Sequence, residues 1–331
     1  MKEKKINTMH LAGDMEINGG IVGGLIIGAT STAMFYWTGR VTGISGIVEG
    51  MLIAKSGDKK SWTLSYLAGL ISSGALLVHV YPKAFGATQL VVLSPLGYAL
   101  AGLFTGFGTR MGSGCTSGHG ICGLPRRSVR SLVAVLTFMT TGAISSYLVM
   151  NTPLKEMLGN TSPDDYSFSV APTVVTALVG ATLSNKNFIL NKLISRSGKV
   201  DDENFSESKT TLTEHAVSFS SAVVFGLGLG ISGMCNPSRV TNFLNFSGDA
   251  GWDPTLMGVM GGGVLFNLVS FHFMHKYDHK IPLSPTKSIS SVLKMDAHPD
   301  NLKIDWKLIA GSALFGIGWG LGSHTICCTD R

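Results

Sequence analysis

The chain has 331 residues, enough for two soluble domains, yet only 14% of them are charged, against roughly 25% in soluble proteins. Mean hydropathy is +0.31, and the 42 glycines are nearly twice the usual share of ~7% with no Gly-X-Y period. This composition excludes a disordered chain, a nucleic-acid-binding protein and a collagen, and leaves an integral, multi-pass membrane protein whose helices are closely packed or often broken. The formal charge of +6 does not indicate an anionic partner. Its cations gather between apolar stretches, at Lys2, Lys4 and Lys5, at Lys55, Lys59 and Lys60, and at Arg126, Arg127 and Arg130, as basic residues do in membrane loops.

Taken in chain order, the stretches apolar enough to cross a bilayer in ~20 residues are 17–37, 62–80, 93–110, 129–150, 169–184, 214–231, 255–274 and 306–322. The first is read as a membrane segment rather than a signal peptide, because its leader is too polar and no clear cleavage site follows. Shorter apolar pieces at 41–54, 115–124 and 237–247 cannot span. Each follows a full segment across a glycine-rich stretch, as a re-entrant half-helix would. Polar interruptions at 185–213 and 275–305 are the longest, and the first divides the chain into a membrane half at 1–184 and another at 214–331.

The glycine-rich stretches resemble one another. They run Gly39-Arg-Val-Thr-Gly-Ile-Ser-Gly46, Gly106-Phe-Gly-Thr-Arg-Met-Gly-Ser-Gly-Cys115, Gly226-Leu-Gly-Leu-Gly-Ile-Ser-Gly-Met-Cys-Asn-Pro237 and Gly316-Ile-Gly-Trp-Gly-Leu-Gly322. Together they form an internal repeat. Backbone left unpaired in hydrocarbon costs several kcal/mol per group, so breaks persist where they line a cavity. Half-helices that start there aim free N–H groups and partial positive charge into it, which favours an anion. The competing reading of such glycines is close helix packing. A dinucleotide fold needs Gly-x-Gly-x-x-Gly after a strand and does not fit. The expected fold is therefore all-α and polytopic, with internal pseudo-symmetric repeats and re-entrant half-helices.

The segment Cys115-Thr-Ser-Gly-His119-Gly-Ile-Cys122 is the richest in chemistry. Cys115, His119 and Cys122 have donor types that suit zinc or copper, but no Cys-x2-Cys pair completes a site. Cys115 and Cys235 hold matching places in two repeats, which suggests two thiols facing one space. A buried thiol stays protonated, a weak and polarizable donor suited to a sulfur-bearing solute. His119 is equally readable as an anion donor and as a packing histidine. Arg40 and Arg110 are readable either as site residues or as helix-end anchors. His272, His275 and His279 read as a water-facing cluster, and the triplets at Asn160 and Asn204 are too common to fix a compartment.

Gly-Ser-Gly-Cys-Thr-Ser-Gly-His-Gly-Ile-Cys-Gly at 112–123, with Gly-Ile-Ser-Gly-Met-Cys-Asn-Pro at 230–237, strongly resembles the YeeE/YedE family of sulfur-compound transporters, in a form that fuses two half-proteins. The resemblance implies paired half-helices around an hourglass-like pathway that passes thiosulfate or a related sulfur anion along a line of cysteines. It maps Cys115 and Cys235 onto that relay, with Cys122 in the same motif. Ser113, Gly114, His119, Gly233 and Asn236 complete the expected pathway. No catalytic residue, metal or cofactor is implied, and the protein is not expected to be an enzyme. Its expected partners are thiosulfate, the bilayer of the cell membrane and a soluble sulfurtransferase. After Gly322 the chain reads Ser-His-Thr-Ile-Cys327-Cys328-Thr-Asp-Arg where the family continues into a further half-helix. The resemblance thus predicts a shortened fourth repeat without its relay cysteine, which Cys327 and Cys328 are not expected to replace. Two other readings remain at this point: a persulfide carrier on Cys115 or Cys122, and a metal protein using Cys115, His119 and Cys122.

Overall fold

The structure, a computed structural model, describes residues 2–53, 58–81, 84, 93–154, 202–245, 252–278, 280–293 and 303–322. The expected span at 169–184, most of the 185–213 linker, and Cys327 and Cys328 lie outside the described residues. The described helices are α1 (Lys2–Thr38), α2 (Ile44–Ile53), α3 (Asp58–Val80), α4 (Pro95–Gly112), a π-helical half-helix (Thr116–Gly123), α5 (Val129–Asn151), α6 (Asp202–Ile231), α7 (Pro237–Leu244), α8 (Thr255–Tyr277), α9 (Ile289–Leu293) and α10 (Trp306–Gly322). The three short apolar pieces are indeed half-helices: α2, the 116–123 helix and α7. Five described helices are long and apolar enough to cross a membrane, over Ile17–Thr38, Ser61–Val80, Val129–Asn151, Leu212–Ile231 and Thr255–Tyr277. The helices α4, of 18 residues, and α10, of 17, are not among them. Outward side chains such as Leu103, Leu136 and Leu265 are exposed, as lipid-facing positions are.

Helix ends follow local chemistry. Ser128 caps α5, its hydroxyl accepting from the Ser131 amide at 3.2 Å. Ser94 caps α4 in the same way through Gly97, with Pro95 in the first turn where its missing N–H is no loss. The first and third breaks come at glycines with positive φ, Gly39 (+68°) and Gly233 (+74°). The second comes at Ser113 (φ +61°), in the left-handed conformation usually left to glycine.

The glycine runs expected to be breaks are mostly helix. Gly226, Gly228 and Gly230 lie inside α6, Gly316, Gly318 and Gly320 inside α10, and Gly106 and Gly108 inside α4. Their role is close approach. A Cβ on Gly228 would stand 2.9 Å from Ile27 Cγ1 on α1, and one on Gly318 would stand 2.8 Å from the Ala101 carbonyl on α4. Gly226 packs on Ser73 of α3, and Gly316 on Thr141 of α5. Gly230 meets Leu77, and Gly320 meets Ser145. Each contact of α6 thus has a counterpart on α10, and one constant offset per helix relates the two sets. Packing carries the same symmetry, with α6 lying against α1 and α3 and α10 against α4 and α5. The repeat is therefore long helix, half-helix, long helix, present as α1–α2–α3, as α4 with the 116–123 helix and α5, and as α6–α7–α8, with α10 opening a fourth.

A further seam joins α1 to α8, where Gly20, Gly24 and Gly28 face Thr255, Val259 and Gly263 in successive turns. Such small-residue stripes let membrane helices touch backbone to backbone. The polar stretch after α8 is not all loop. Lys280–Ile281 and Ser284–Ser288 pair as an antiparallel hairpin, and Ile281, Ile289 and Leu293 are fully buried with Phe35 and Phe271. Ile281 packs on Gly39, and the Leu283 amide donates to the Trp37 carbonyl at 3.1 Å. The hairpin thereby covers the end of α1. Two termini also begin earlier than their apolar stretches suggest, since α1 starts at Lys2 and α6 at Asp202, the latter inside the expected linker.

Candidate functional site

The site is built where two half-helices begin. At the end of α4 the Gly114 amide donates to the Thr109 carbonyl at 3.0 Å and the Ser113 amide to Arg110 at 3.4 Å. These bonds close the last turn and deliver an extended Cys115 (φ −125°, ψ −170°) as the residue that opens the 116–123 helix. The Cys115 sulfur lies 3.2 Å from the Ser117 hydroxyl, and the backbone amides of Ser45 and Gly118 face it. Ser117 in turn accepts from the amide of Ile44, the first residue of α2, at 3.1 Å. Gly43 packs on Gly118, with Cβ-to-Cα room of only 3.7 Å. The N-termini of α2 and of the 116–123 helix thus converge on one thiol. Its other side is apolar, formed by Phe138 and Phe315 with Val135, Met139 and Trp319 beside them.

His119 is fully engaged by the protein. Its Nε2 meets the Gly112 carbonyl at 3.1 Å and its Nδ1 the Ser131 hydroxyl at 3.2 Å. A carbonyl can only accept, so the proton sits on Nε2 and neutral Nδ1 accepts from Ser131. The ring pins the half-helix to α4 and α5 rather than pointing at a solute. Gly114 makes room for it, since a Cβ there would lie 2.7 Å from the ring.

Cys122 is buried at the far end of the same half-helix, its thiol pointing to the Thr42 carbonyl at 3.9 Å. It packs with Ile27, Ile121, Phe225 and Val259, and Met234 and Met260 border the cluster. Two side chains hold this end, Asn267, which was passed over in the sequence, and Arg126, which was placed there among the loop cations. Arg126 Nε donates to the Cys122 carbonyl at 3.0 Å, and Asn267 Nδ2 donates to the Ile121 carbonyl at 2.7 Å. Asn267 also accepts from the Thr32 hydroxyl at 2.7 Å. Pro125 was the available signal. It ends the half-helix and brings no N–H of its own, so a carbonyl left over at that end needs a donor from elsewhere.

The third break places Cys235 on the turn between α6 and α7. The Gly233 and Met234 amides close the end of α6 on Gly230 and Leu229, at 3.1 Å each, and the Asn236 amide returns to Gly233 at 3.1 Å. Arg239 lies over Gly233, donates to Thr255 Oγ1 at 3.1 Å and pairs with Asp253 at 3.6 Å. Cys235 is half-buried, and Cys115, Cys122 and Cys235 are all free thiols. Cys115 and Cys122 share one half-helix, whereas Cys235 approaches that region through its neighbour Met234, which borders the Cys122 cluster. Among the described residues, no group of three or more His, Cys, Asp or Glu is placed to hold a metal ion. With both His119 nitrogens occupied, Cys115, His119 and Cys122 do not converge as ligands. Arg40 pairs with Glu214 and lies 4.7 Å from the Trp62 ring centroid, and Arg110 pairs with Glu49 at 2.7 Å. Both arginines are held in ion pairs with glutamates of neighbouring helices.

Residues 215–329 match a family described as a family of unknown function, DUF6691. A "Probable transporter" of Xylella fastidiosa strain Temecula1 is 39% identical over 122 residues, which are 37% of this chain and 87% of that protein. A "Probable transporter" of strain 9a5c is 38% identical over the same shares, and another from that strain is 32% identical over 105 residues, 32% of this chain and 64% of the relative. No solved structure matches the chain.

Proposed function

From the premise that the chain belongs to the family of these probable transporters, we propose that it carries thiosulfate or a related sulfur-containing anion across the membrane. The observation that carries this reading is the Cys115 sulfur at the meeting point of two half-helix N-termini. Amides that open a helix bring partial positive charge to an anion without a counter-charged side chain. A protonated thiol adds a soft, polarizable donor, and the Met234 and Met260 thioethers lie along the Cys122 side. Together these groups favour a solute with a terminal sulfur over a hard, hydrated oxyanion.

The solute passes from thiol to thiol by exchanging hydrogen bonds, with Cys115 and Cys235 as the relay and Cys122 at the inner end of the half-helix. No bond to sulfur is made or broken, so the protein is a carrier and not an enzyme. His119, Gly114 and Ser113 set the half-helix in place, and Gly233 and Asn236 do the same for the turn that bears Cys235. Relatives matched over 87% of their own length but only 37% of this chain fit the reading in which one half of a fused pair, 1–184 and 214–331, corresponds to a shorter protein. The cell membrane is the proposed location, and a soluble sulfurtransferase is the proposed receiver of the imported sulfur.

The test is growth on thiosulfate as sole sulfur source in cells without another uptake route. Wild type should support growth, and Cys115→Ala should abolish it while membrane abundance is unchanged. Growth of the variant at the wild-type rate would remove the relay.

A further inference from the structure

Three hydroxyls lie unpaired inside the first repeat, and all three surround Cys122. Ser31 on α1 is 1% exposed, Thr42 in the first break 1% and Tyr66 on α3 0%. None of the three side-chain oxygens completes a hydrogen bond of good length and angle, although two of them face each other and the third faces the thiol. They are close to one another and to the thiol: the Ser31 hydroxyl lies beside the Cys122 sulfur, and Tyr66 faces the Thr42 hydroxyl. Thr42 also accepts the Cys122 thiol on its carbonyl.

Nearby helical hydroxyls behave differently. Thr30 and Thr38 on α1 fold back on the carbonyls of Ile26 and Met34 at 2.7 and 2.6 Å, and Ser73 on α3 does so on Leu70 at 2.8 Å. Such back-bonding is the ordinary way for a serine or threonine in a membrane helix to be satisfied. Ser31 declines it, and Thr42 and Tyr66 find no other partner. Buried polar groups without partners are few in any protein. Three of them gathered from α1, the first break and α3 around one thiol leave donors that a polar guest would satisfy.

We infer that Ser31, Thr42 and Tyr66, with the Cys122 thiol, form a second station for the transported anion, which grips its oxygen-bearing end. The inference rests on the transport reading above and adds to it a residence site apart from Cys115. Hydroxyl donors on several sides match the oxygens of a tetrahedral sulfur oxyanion. The thiol and the neighbouring Met260 contact its softer sulfur. An anion that leaves Cys115 at the start of the half-helix reaches this cage at the helix's other end, which explains why a second cysteine stands at 122.

The experiment uses the full-length protein in proteoliposomes, with labelled thiosulfate as the probe. Tyr66→Phe, Thr42→Val and Ser31→Ala each remove a hydroxyl with little change in shape. Each should raise the concentration for half-maximal uptake by roughly two- to tenfold, the worth of one hydrogen bond, and the triple variant should lose saturable uptake. Melting of the purified variants without solute should be no lower than that of wild type, because a costly unpaired group has been removed. The rise in melting temperature on adding thiosulfate should shrink. A structural role alone would instead lower the melting temperature and leave the half-saturation concentration in place. Wild-type uptake with unchanged half-saturation in all three variants would assign the hydroxyls to trapped water and overturn the station while sparing the relay. Absence of both uptake and a thermal shift in wild type would overturn both.

Discussion

Replacing Asn267 with leucine separates the half-helix from its support at nearly constant volume. Asn267 is 0% exposed and makes two side-chain bonds of 2.7 Å each, donating to Ile121 and accepting from Thr32. The two losses are unequal. Thr32 can turn back onto its own helix as Thr30 and Thr38 already do, so its hydroxyl is recovered. The Ile121 carbonyl has no such route, because a carbonyl cannot turn and the half-helix ends within two residues, at Gly123, with Pro125 beyond it. Leaving one buried acceptor unpaired costs about 1–3 kcal/mol, and leucine leaves little cavity to add to it. Equilibrium unfolding in mixed micelles should therefore show Asn267→Leu destabilised by about that amount. Wild-type stability in Asn267→Leu would refute the assignment.

Gly228→Val and Gly318→Val should each destabilise the protein by about 1–3 kcal/mol or block its assembly, since added methyls in tight packing cost that much. Equal effects in thermal melts would support the pseudo-symmetry, whereas a tolerated valine at one of the two would break it. Arg126→Gln removes the charge-assisted bond to the Cys122 carbonyl and should cost about 1.5–3 kcal/mol in the same unfolding assay. The Asp278 carboxyl is held below the usual carboxylate range, chiefly by the Ser290 hydroxyl and amide, the latter donating at 3.0 Å. A depressed folded value stabilises the hairpin above the ordinary value of ~3.9, and that contribution is lost as pH falls through the folded value. The protection factor of the Ser290 amide, its exchange measured against the intrinsic rate at each pH, should fall with acid in wild type and lose that dependence in Asp278→Asn.

Much of the scaffold is legible in the sequence because membrane helices announce themselves by length and apolarity. The starts of α5 and α8 fall at 129 and 255 as expected, and all three half-helices were found as apolar pieces too short to span. The glycines were harder. Gly226, Gly228 and Gly230 have low helix propensity and read as a break, but propensity yields to the close approach of α1 and α3. That partner surface is absent from the local sequence. His119 had two readings of equal weight because its neighbours in space, Gly112 and Ser131, decide its tautomer. Asn267 was invisible for the same reason, at a separation of 146 residues from Ile121. The 280–288 hairpin lies in a stretch read only as a polar interruption, since only Ile281 of its first strand turns inward.

Uptake of labelled thiosulfate by proteoliposomes bearing wild type, Cys115→Ala and Cys235→Ala tests the central claim most directly. The account predicts saturable uptake by wild type and none by either variant, with all three proteins folded and equally incorporated. Uptake by both alanine variants at the wild-type rate would contradict a pathway that runs through these thiols.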